Sequence, residues 1–251
     1  MDAVQARKGL PGSALKWIAI CSMLLDQVGA TLVFSWYLSV GGLGVARLYG
    51  LLRTAGRIAF PIFCFLLVEG FFHTQDRKKY ALRLSIFSLA AEIPFDLAVQ
   101  GTPFSLEGQN VFFTLLLGFL AMWGSWELIR KQNCHPGLAI AVLFPPCGFA
   151  AEALGTDYGF FGVLLIGTLF AVRGFRPEED ENVRVLQLLL GAAVIVLYCW
   201  HHGVQRQLWA VLGLVLTLFY NGQRGKGPKW FFYWFYPVHL AVLGVLNMVL
   251  F

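Results

Sequence analysis

The sequence predicts an all-α protein, a polytopic transmembrane helical bundle of about nine spans with its N-terminus in the cytoplasm. Three observations predict this fold: the composition, the spacing of the apolar segments and the distribution of Lys and Arg. Hydrophobic residues make up 58% of the chain and charged residues 13%, whereas a soluble domain carries about a quarter charged residues. The mean hydropathy of +0.67 therefore indicates an integral membrane protein.

Nine apolar segments can be drawn, each near the length of about 20 residues that a helix needs to cross a bilayer. Short loops separate them and leave no room for a second domain, so residues 1–251 are expected to form a single transmembrane domain. The fifth segment contains Pro145 and Pro146, which predict a bent, broken or re-entrant helix. The segments are 15–38, 56–73, 79–100, 110–129, 136–152, 157–172, 183–202, 207–220 and 229–251.

The basic residues support this layout, because cytoplasmic loops carry an excess of Lys and Arg. With the N-terminus inside, the outer side holds four of the 19 Lys and Arg, and the remaining fifteen lie on the inner side. The sequence pI of about 9.0 is thus explained by topology, and nucleic acid is not expected as a partner. The four outer residues are Arg47, Arg53, Arg57 and Arg206.

The five Cys residues show no CxxC spacing, and four of them lie inside apolar segments. They are expected to pack as small hydrophobic side chains, with no disulfide framework and no metal site. His201 and His202 are adjacent on a predicted helix and point in different directions, so they form a poor chelate.

Residues 53–72 organise the prediction, because Arg57, the helix-kinking Pro61 and Glu69 share one apolar segment. An ionisable group in hydrocarbon costs about 2.5 kcal/mol or more, so each must face a partner or a wet cavity. Asp26 and His239 offer such a pair, since each lies ten residues beyond an inner lysine, Lys16 or Lys229. Both then lie about 15 Å deep, and we expect that they can meet.

The other polar groups fall at two depths in the membrane, one near the inner side and one toward the outer side. Glu69 and His73 are one helical turn apart and approach the inner end of the second segment. Glu92 and Asp96 also share a face around Pro94, and Arg57 could pair with one of them simply to hold helices together. The group expected toward the outer side contains Arg57, Glu92, Asp96, Asn110 and the Asp157-Tyr158-Gly159 turn.

Several stretches together resemble the TraX family. They are LKWIAICSMLLDQVGA, GRIAFPIFCFLLVEGFFHT, RKKYALRLSIFSLAAEIPFDLA, QNVFFTLLLG, GTDYGFFGVLL and FYWFYPVHLAVLGVL, in this order. The namesake of that family is an inner-membrane N-acetylase of pilin, and the family is similar to the wider acyltransferase-3-like membrane enzymes. The resemblance implies a multi-pass protein of the bacterial inner membrane. It also implies transfer of an acyl group from acetyl-CoA or another acyl-CoA to a peptide, glycan or lipid acceptor.

This resemblance, the matched depths and the closing YPVH motif suggest roles for individual residues. His239 would be the general base, Asp26 its orienting partner and Arg57 a stabiliser of developing negative charge. Expected substrate-binding residues are Asn110, Tyr158, Glu69, Glu92 and Asp96. Expected CoA-binding residues are His73, Arg77, Lys78 and Lys79.

One position departs from the family pattern, which has an Asp-His pair where this chain has Asp26-Gln27. Because Gln cannot titrate, the general base that the resemblance would place at Gln27 is missing. Either His239 or Asp26 then serves as the base, or the chemistry is altered or absent. Two other readings of the whole protein also stay open. The buried charges could line the path of a transporter or channel for a small polar solute, or the protein could be a catalytically silent membrane scaffold.

Overall fold

The computed structural model describes residues 9–174 and 181–251, and these residues form helices and loops without a β-strand. A π-helical turn, Gly29–Val33, connects the first two helices, and a 3₁₀ turn, Gln205–Ala210, precedes the tenth. The helices are α1 (Gly12–Val28), α2 (Phe34–Val40), α3 (Leu43–Gly56), α4 (Ala59–His73), α5 (Arg77–Val99), α6 (Val111–Gln132), α7 (Pro136–Ala153), α8 (Gly159–Gly174), α9 (Glu181–His202), α10 (Val211–Thr217) and α11 (Lys229–Leu250).

The all-α prediction is confirmed, and all nine predicted segments are helical. Within the described residues, six helical stretches are long and apolar enough to cross a membrane. This makes the chain a multi-pass membrane protein, but the count of nine spans is not confirmed. The remaining three segments differ from the six: α5 is more polar, α8 has 16 residues, and residues 205–217 form two short pieces. The six stretches are Gly12–Val40, Leu43–His73, Val111–Gln132, Pro136–Ala153, Asn182–His202 and Trp230–Leu250.

Helix α4 lies at the centre of the bundle and packs against α1, α6, α8 and α10. It is apolar around most of its circumference, as expected for a helix surrounded by protein. Phe65 and Phe71 of α4 are fully buried together with Phe119 of α6 and Phe170 of α8. Close helix contacts depend on small residues, as at Gly118, where a Cβ would collide with Ile166 of α8.

The effect predicted for Pro61 is observed, whereas that predicted for Pro145 and Pro146 is not. Pro61 lies in the first turn of α4, and the chain is interrupted just before it at Arg57 and Ile58, because Pro61 has no N–H to donate to the carbonyl four residues earlier. Helix α7, in contrast, runs without a break through Pro145 and Pro146. The segment before Pro61 forms α3, which the sequence analysis did not predict.

The loops divide into two groups, at opposite ends of the bundle. At one end, Leu10 forms a β-bridge with Tyr220, and at the other Gln109 bridges to Thr156. We call the first end, which also carries Lys16 and His73, the inner end, and the second the outer end, following the orientation predicted from the basic residues.

Candidate functional site

The carboxylate of Asp26 is bound by two arginines. Nη1 of Arg53 lies 2.7 Å from Oδ2, and Nη2 of Arg57 donates to Oδ1. Arg57 also donates through Nη1 to Oε1 of Gln207, at 3.4 Å. This network ties α1 to α3 and to the turn before α10, and it places a negative charge between two positive ones.

The network forms because α1 and α3 pack very closely. A Cβ on Gly56 would collide with the side chain of Asp26, so only glycine allows this approach. The hydroxyl of Ser22 donates to the carbonyl of Ala55 at 2.6 Å, which fixes the same crossing one turn earlier. Arg53 and Arg57 are spaced i, i+4, a sequence signal for a shared helix face that the sequence analysis did not use.

The expected pairing of Asp26 with His239 is wrong. Trp17 contacts Phe231 and Phe232, and the Lys16 ammonium lies 5.5 Å from the centre of the Phe232 ring. Both oxygens of Asp26 are bound by Arg53 and Arg57, and Nδ1 of His239 is held by the Phe235 carbonyl, so Asp26 does not pair with His239.

His239 has one nitrogen occupied and one without a partner. Nδ1 lies 2.7 Å from the carbonyl oxygen of Phe235, and because a carbonyl can only accept, Nδ1 carries the proton in the neutral ring. Nε2 is buried and has no hydrogen-bond partner. The ring stacks on Phe235 and contacts Tyr236, whose hydroxyl is also buried without a partner. His239 therefore presents an unprotonated nitrogen inside the bundle.

Gln27 is 8% exposed, and its Oε1 has no hydrogen-bond partner. Its main-chain carbonyl accepts a hydrogen bond from the Thr31 hydroxyl at 2.7 Å, where α1 passes into the π-helical turn. Such turns are frequent at functional sites. Gln27 therefore lies at a local irregularity of the helix that hydrophobic periodicity could not predict.

Tyr158 lies beside the arginine network. Its ring stacks on Phe60 with the centroids 3.7 Å apart, and its side chain is hydrogen-bonded to Gln207. The Arg57 guanidinium also interacts electrostatically with the side chains of Tyr158 and Asp157. A φ of 69° puts Tyr158 in the left-handed region, which is unfavourable for a bulky residue. The packing around Tyr158 must therefore compensate for local backbone strain.

The predicted outer group of polar residues is divided in two. Arg57 pairs with Asp26 rather than with Glu92 or Asp96. Fully buried Asn110 caps α6 by accepting from the N–H of Phe112 at 3.0 Å, and it donates to the carbonyl of Ser88 and to Glu92. These contacts join α5 to the start of α6.

Asp96 is fully buried and accepts a hydrogen bond from the N–H of Ser105 at 2.8 Å, which anchors the loop between α5 and α6. One oxygen of Asp96, Oδ1, and one of Glu92, Oε1, are buried without a partner. Each carboxylate thus uses one oxygen in a hydrogen bond that holds the fold, and its other oxygen can still accept a hydrogen bond.

Glu69 and His73 lie near the inner end, as predicted. Oε1 of Glu69 is 2.9 Å from Nε of Arg173, so α4 is joined to α8 by an ion pair. Nδ1 of His73 lies 2.8 Å from the main-chain carbonyl of Glu69. The sequence analysis did not predict Arg173 as the partner of Glu69.

Arg77, Lys78 and Lys79 do not line the large cavity described below. The guanidinium of Arg77 lies 4.7 Å from the centre of the Phe71 ring and 5.2 Å from that of Trp126. Lys79 forms an ion pair of 3.3 Å with Asp76, and its backbone N–H lowers the pKa of Asp76 by hydrogen bonding to that carboxylate.

A cavity of about 450 Å³ extends inward from the inner end. Its mouth is lined by Lys16, His73 and Arg224, and its closed end by apolar residues and Tyr236. Glu69 lines the wall between them. Because the ring of His239 contacts that of Tyr236, the closed end reaches the neighbourhood of the unpartnered Nε2. The closed end is formed by Met23, Phe63, Val111, Phe112 and Tyr236.

Comparison with known proteins finds relatives that match almost the whole chain. The family model described as TraX protein matches residues 11–247. "Probable fimbrial assembly protein FimC, serogroup H1" of Dichelobacter nodosus is 32% identical, over 94% of this chain and 95% of its own length. "Protein TraX" of Escherichia coli is 30% identical, over 77% of this chain and 75% of its own length. No solved structure matches this chain. The chain therefore belongs to the TraX family.

Proposed function

We propose that this protein is a membrane-bound acyltransferase that moves an acyl group from acyl-CoA to an amine or hydroxyl acceptor. The observation that carries the proposal is the cavity whose closed end reaches Tyr236, beside His239 with its unpartnered Nε2. A transferase needs a base for the acceptor proton and a space for the thioester next to that base. The cavity and the imidazole together meet both requirements.

In this mechanism His239 acts as the general base. Nδ1 is held by the Phe235 carbonyl, so Nε2 is free to take the proton from the acceptor N–H or O–H as the acceptor atom attacks the thioester carbonyl carbon. The new bond from carbon to the acceptor forms, and the bond from carbon to sulfur breaks. The departing thiolate then takes the proton from Nε2, which leaves free CoA and a neutral imidazole. In this proposal the Tyr236 hydroxyl, which has no partner, donates a hydrogen bond to the carbonyl oxygen.

In this proposal Asp26 does not orient His239. Because Asp26 is bound by Arg53 and Arg57, it balances their charge and holds α1 against α3. Asn110, Glu92 and Asp96 keep α5 and α6 together beside α11 and remain candidates for acceptor contacts through the unpartnered carboxylate oxygens. At the outer end, Tyr158 remains a candidate for substrate binding and Arg57 a candidate for stabilising negative charge.

The names of the relatives support a role in the assembly of surface fibres. One relative is named as a probable fimbrial assembly protein and the other as TraX, so we infer that the acceptor belongs to a pilus or fimbrial component. A multi-pass protein with this distribution of basic residues would reside in the bacterial inner membrane, with the cavity opening toward cytoplasmic acyl-CoA.

Acetyl-CoA turnover by detergent-purified protein tests the proposal. Release of free CoA is measured with a thiol reagent in the presence of a pilin-derived peptide with a free N-terminus, and acylation is read as a mass shift of that peptide. We expect His239→Ala to lower kcat by about 100-fold or more. His135→Ala, at an exposed histidine at the start of α7, is the matched control and keeps full activity.

Two results would contradict the proposal. Wild-type activity in His239→Ala would remove the base, and flux of a polar solute through protein-containing liposomes without thioester turnover would favour a transporter.

A further inference from the structure

The mouth of the cavity carries an excess of positive charge. Lys16, Arg83 and Arg224 all line it, and Arg224 is exposed at the rim. Glu69 is the acidic residue that lines the cavity, and its carboxylate is already held by Arg173 at 2.9 Å. Arg83 and Arg224 therefore add positive charge to a cavity whose one lining carboxylate is neutralised by another helix, so the mouth favours an anion.

Arg83 is the most specific of these three cations. Its guanidinium lies 5.5 Å from the centre of the Tyr80 ring, which orients its plane. Its Nε is buried and has no hydrogen-bond partner, although a buried donor usually has one. The planar guanidinium fork suits a bidentate contact with phosphate. An oxygen-rich anion at the mouth would satisfy this donor.

The cavity has the proportions of a channel for an extended molecule with an anionic end. The stretch of α4 that lines it runs from His73 at the mouth to Phe63 at the closed end, ten residues or about 15 Å. The charged lining residues Lys16, His73 and Arg224 lie at the first of these ends, and the residues of the second end carry no charge. A ligand that carries phosphates at one end and a thioester at the other would match this division.

We propose that Lys16, Arg83 and Arg224 form the phosphate subsite of the donor, with Arg83 as its central ligand. The inference rests on the proposed acyl transfer and adds to it the residues that bind the phosphates of the donor, which enters with its acyl end first. It also places the phosphates away from Arg77, Lys78 and Lys79, the basic run that the sequence favoured. Arg83 is thus a binding residue that selects the donor without taking part in the chemical step.

Steady-state kinetics and direct binding with detergent-purified protein test this subsite. The probes are acetyl-CoA and CoA, compared with acetyl-pantetheine and pantetheine, which lack the phosphates. In Arg83→Ala we expect KM for acetyl-CoA and Kd for CoA to rise about tenfold or more, while kcat and the turnover of acetyl-pantetheine stay unchanged. Arg83→Lys restores part of the affinity. The matched control is Arg130→Ala, which removes an exposed arginine from the last turn of α6 at the inner end and leaves Kd for CoA as in the wild type.

The outcomes separate this inference from the proposed function. An unchanged KM and Kd in Arg83→Ala, with active wild type, would overturn the subsite and leave acyl transfer intact. Equal losses for acetyl-CoA and acetyl-pantetheine would also overturn it, because they would indicate a damaged fold. CoA binding that depends on Arg83 without any thioester turnover would support the subsite and contradict the acyltransferase.

Discussion

At the scale of single residues, the carboxylate of Asp26 compensates the charge of two arginines inside the bundle. Its side chain is 12% exposed and lies between the guanidinium groups of Arg53 and Arg57. Removal of one partner from such an arrangement leaves charge without compensation, which costs more than the pair itself contributes. The carboxylate is therefore more important for the position of α3 than for proton transfer.

Asp26→Asn should lower the stability of the protein by about 3 kcal/mol, because the amide carries no charge and replaces one of the two acceptor oxygens with an NH2 donor that faces a guanidinium. The measurement is the midpoint of thermal unfolding in detergent. Glu107→Gln makes the same chemical change at an exposed residue and should alter stability by no more than about 0.5 kcal/mol. Equal midpoints for the two variants would show that Asp26 does not compensate the arginines.

At the scale of helices, the contact between α1 and α3 depends on a glycine at the crossing point. Gly56 leaves room for the Asp26 side chain, whereas Gly50, on the same helix, has open space around it. The two glycines therefore allow the same substitution to be compared in a packed and in an open position.

Gly56→Ala should destabilise the protein by about 2 kcal/mol, because a methyl group forces the two helices apart. Gly50→Ala should be neutral or stabilising by up to about 1 kcal/mol, since alanine favours the helix and meets no atom. Thermal unfolding in detergent, with thioester turnover as a second readout, checks both. If Gly56→Ala unfolds at the same temperature as Gly50→Ala, the crossing is not as close as described.

At the scale of the whole molecule, the cavity opens at the end that the predicted orientation assigns to the cytoplasm. Lys16, Arg83 and Arg224 lie at the inner end, and the positive-inside distribution places that end in the cytoplasm. Cytoplasmic acyl-CoA could then enter directly, while the arginine network of Asp26 would lie toward the outer side of the membrane.

Thiol labelling in intact cells and inverted vesicles tests this orientation. Cys134 lies in the short loop between α6 and α7 at the inner end, so a membrane-impermeant maleimide should label it in inverted vesicles and not in intact cells. Cys134→Ser should lose that labelling, and Thr102→Cys in the same background, in the exposed loop at the outer end, should react in intact cells. The opposite pattern would place the cavity mouth outside the cytoplasm.

Helix positions could be predicted from the sequence more accurately than side-chain partners. Runs of apolar residues correctly located α6, α7 and α11, whereas α3 was missed because its glycines and arginines dilute the apolar signal. Asp26 and His239 seemed level because lysines near the start of their helices were used as markers of depth. In the structure both oxygens of Asp26 are instead bound by Arg53 and Arg57, partners that its depth could not reveal.

The sequence identified His239, Asp26 and Arg57 as polar groups inside the bundle, but not that Arg53 and Gln207 complete the arginine network. It identified the basic run at the start of α5, but the cations that line the cavity are Arg83, further along the same helix, Lys16 of α1 and Arg224 of the loop before α11. Residues so far apart in sequence give no local pattern that links them.

The amino-acid sequence by itself determined that this is a multi-pass helical membrane protein of the TraX family, with ionisable groups inside the bundle. These properties follow from the length and hydropathy of continuous segments and from motifs within them, so each can be recognised locally. Only the tertiary structure decided that Asp26 binds Arg53 and Arg57, that Nε2 of His239 lacks a partner and that the cavity opens among Lys16, Arg83 and Arg224. Those features depend on the rotation and register of helices against one another, which are set by packing between segments distant in sequence.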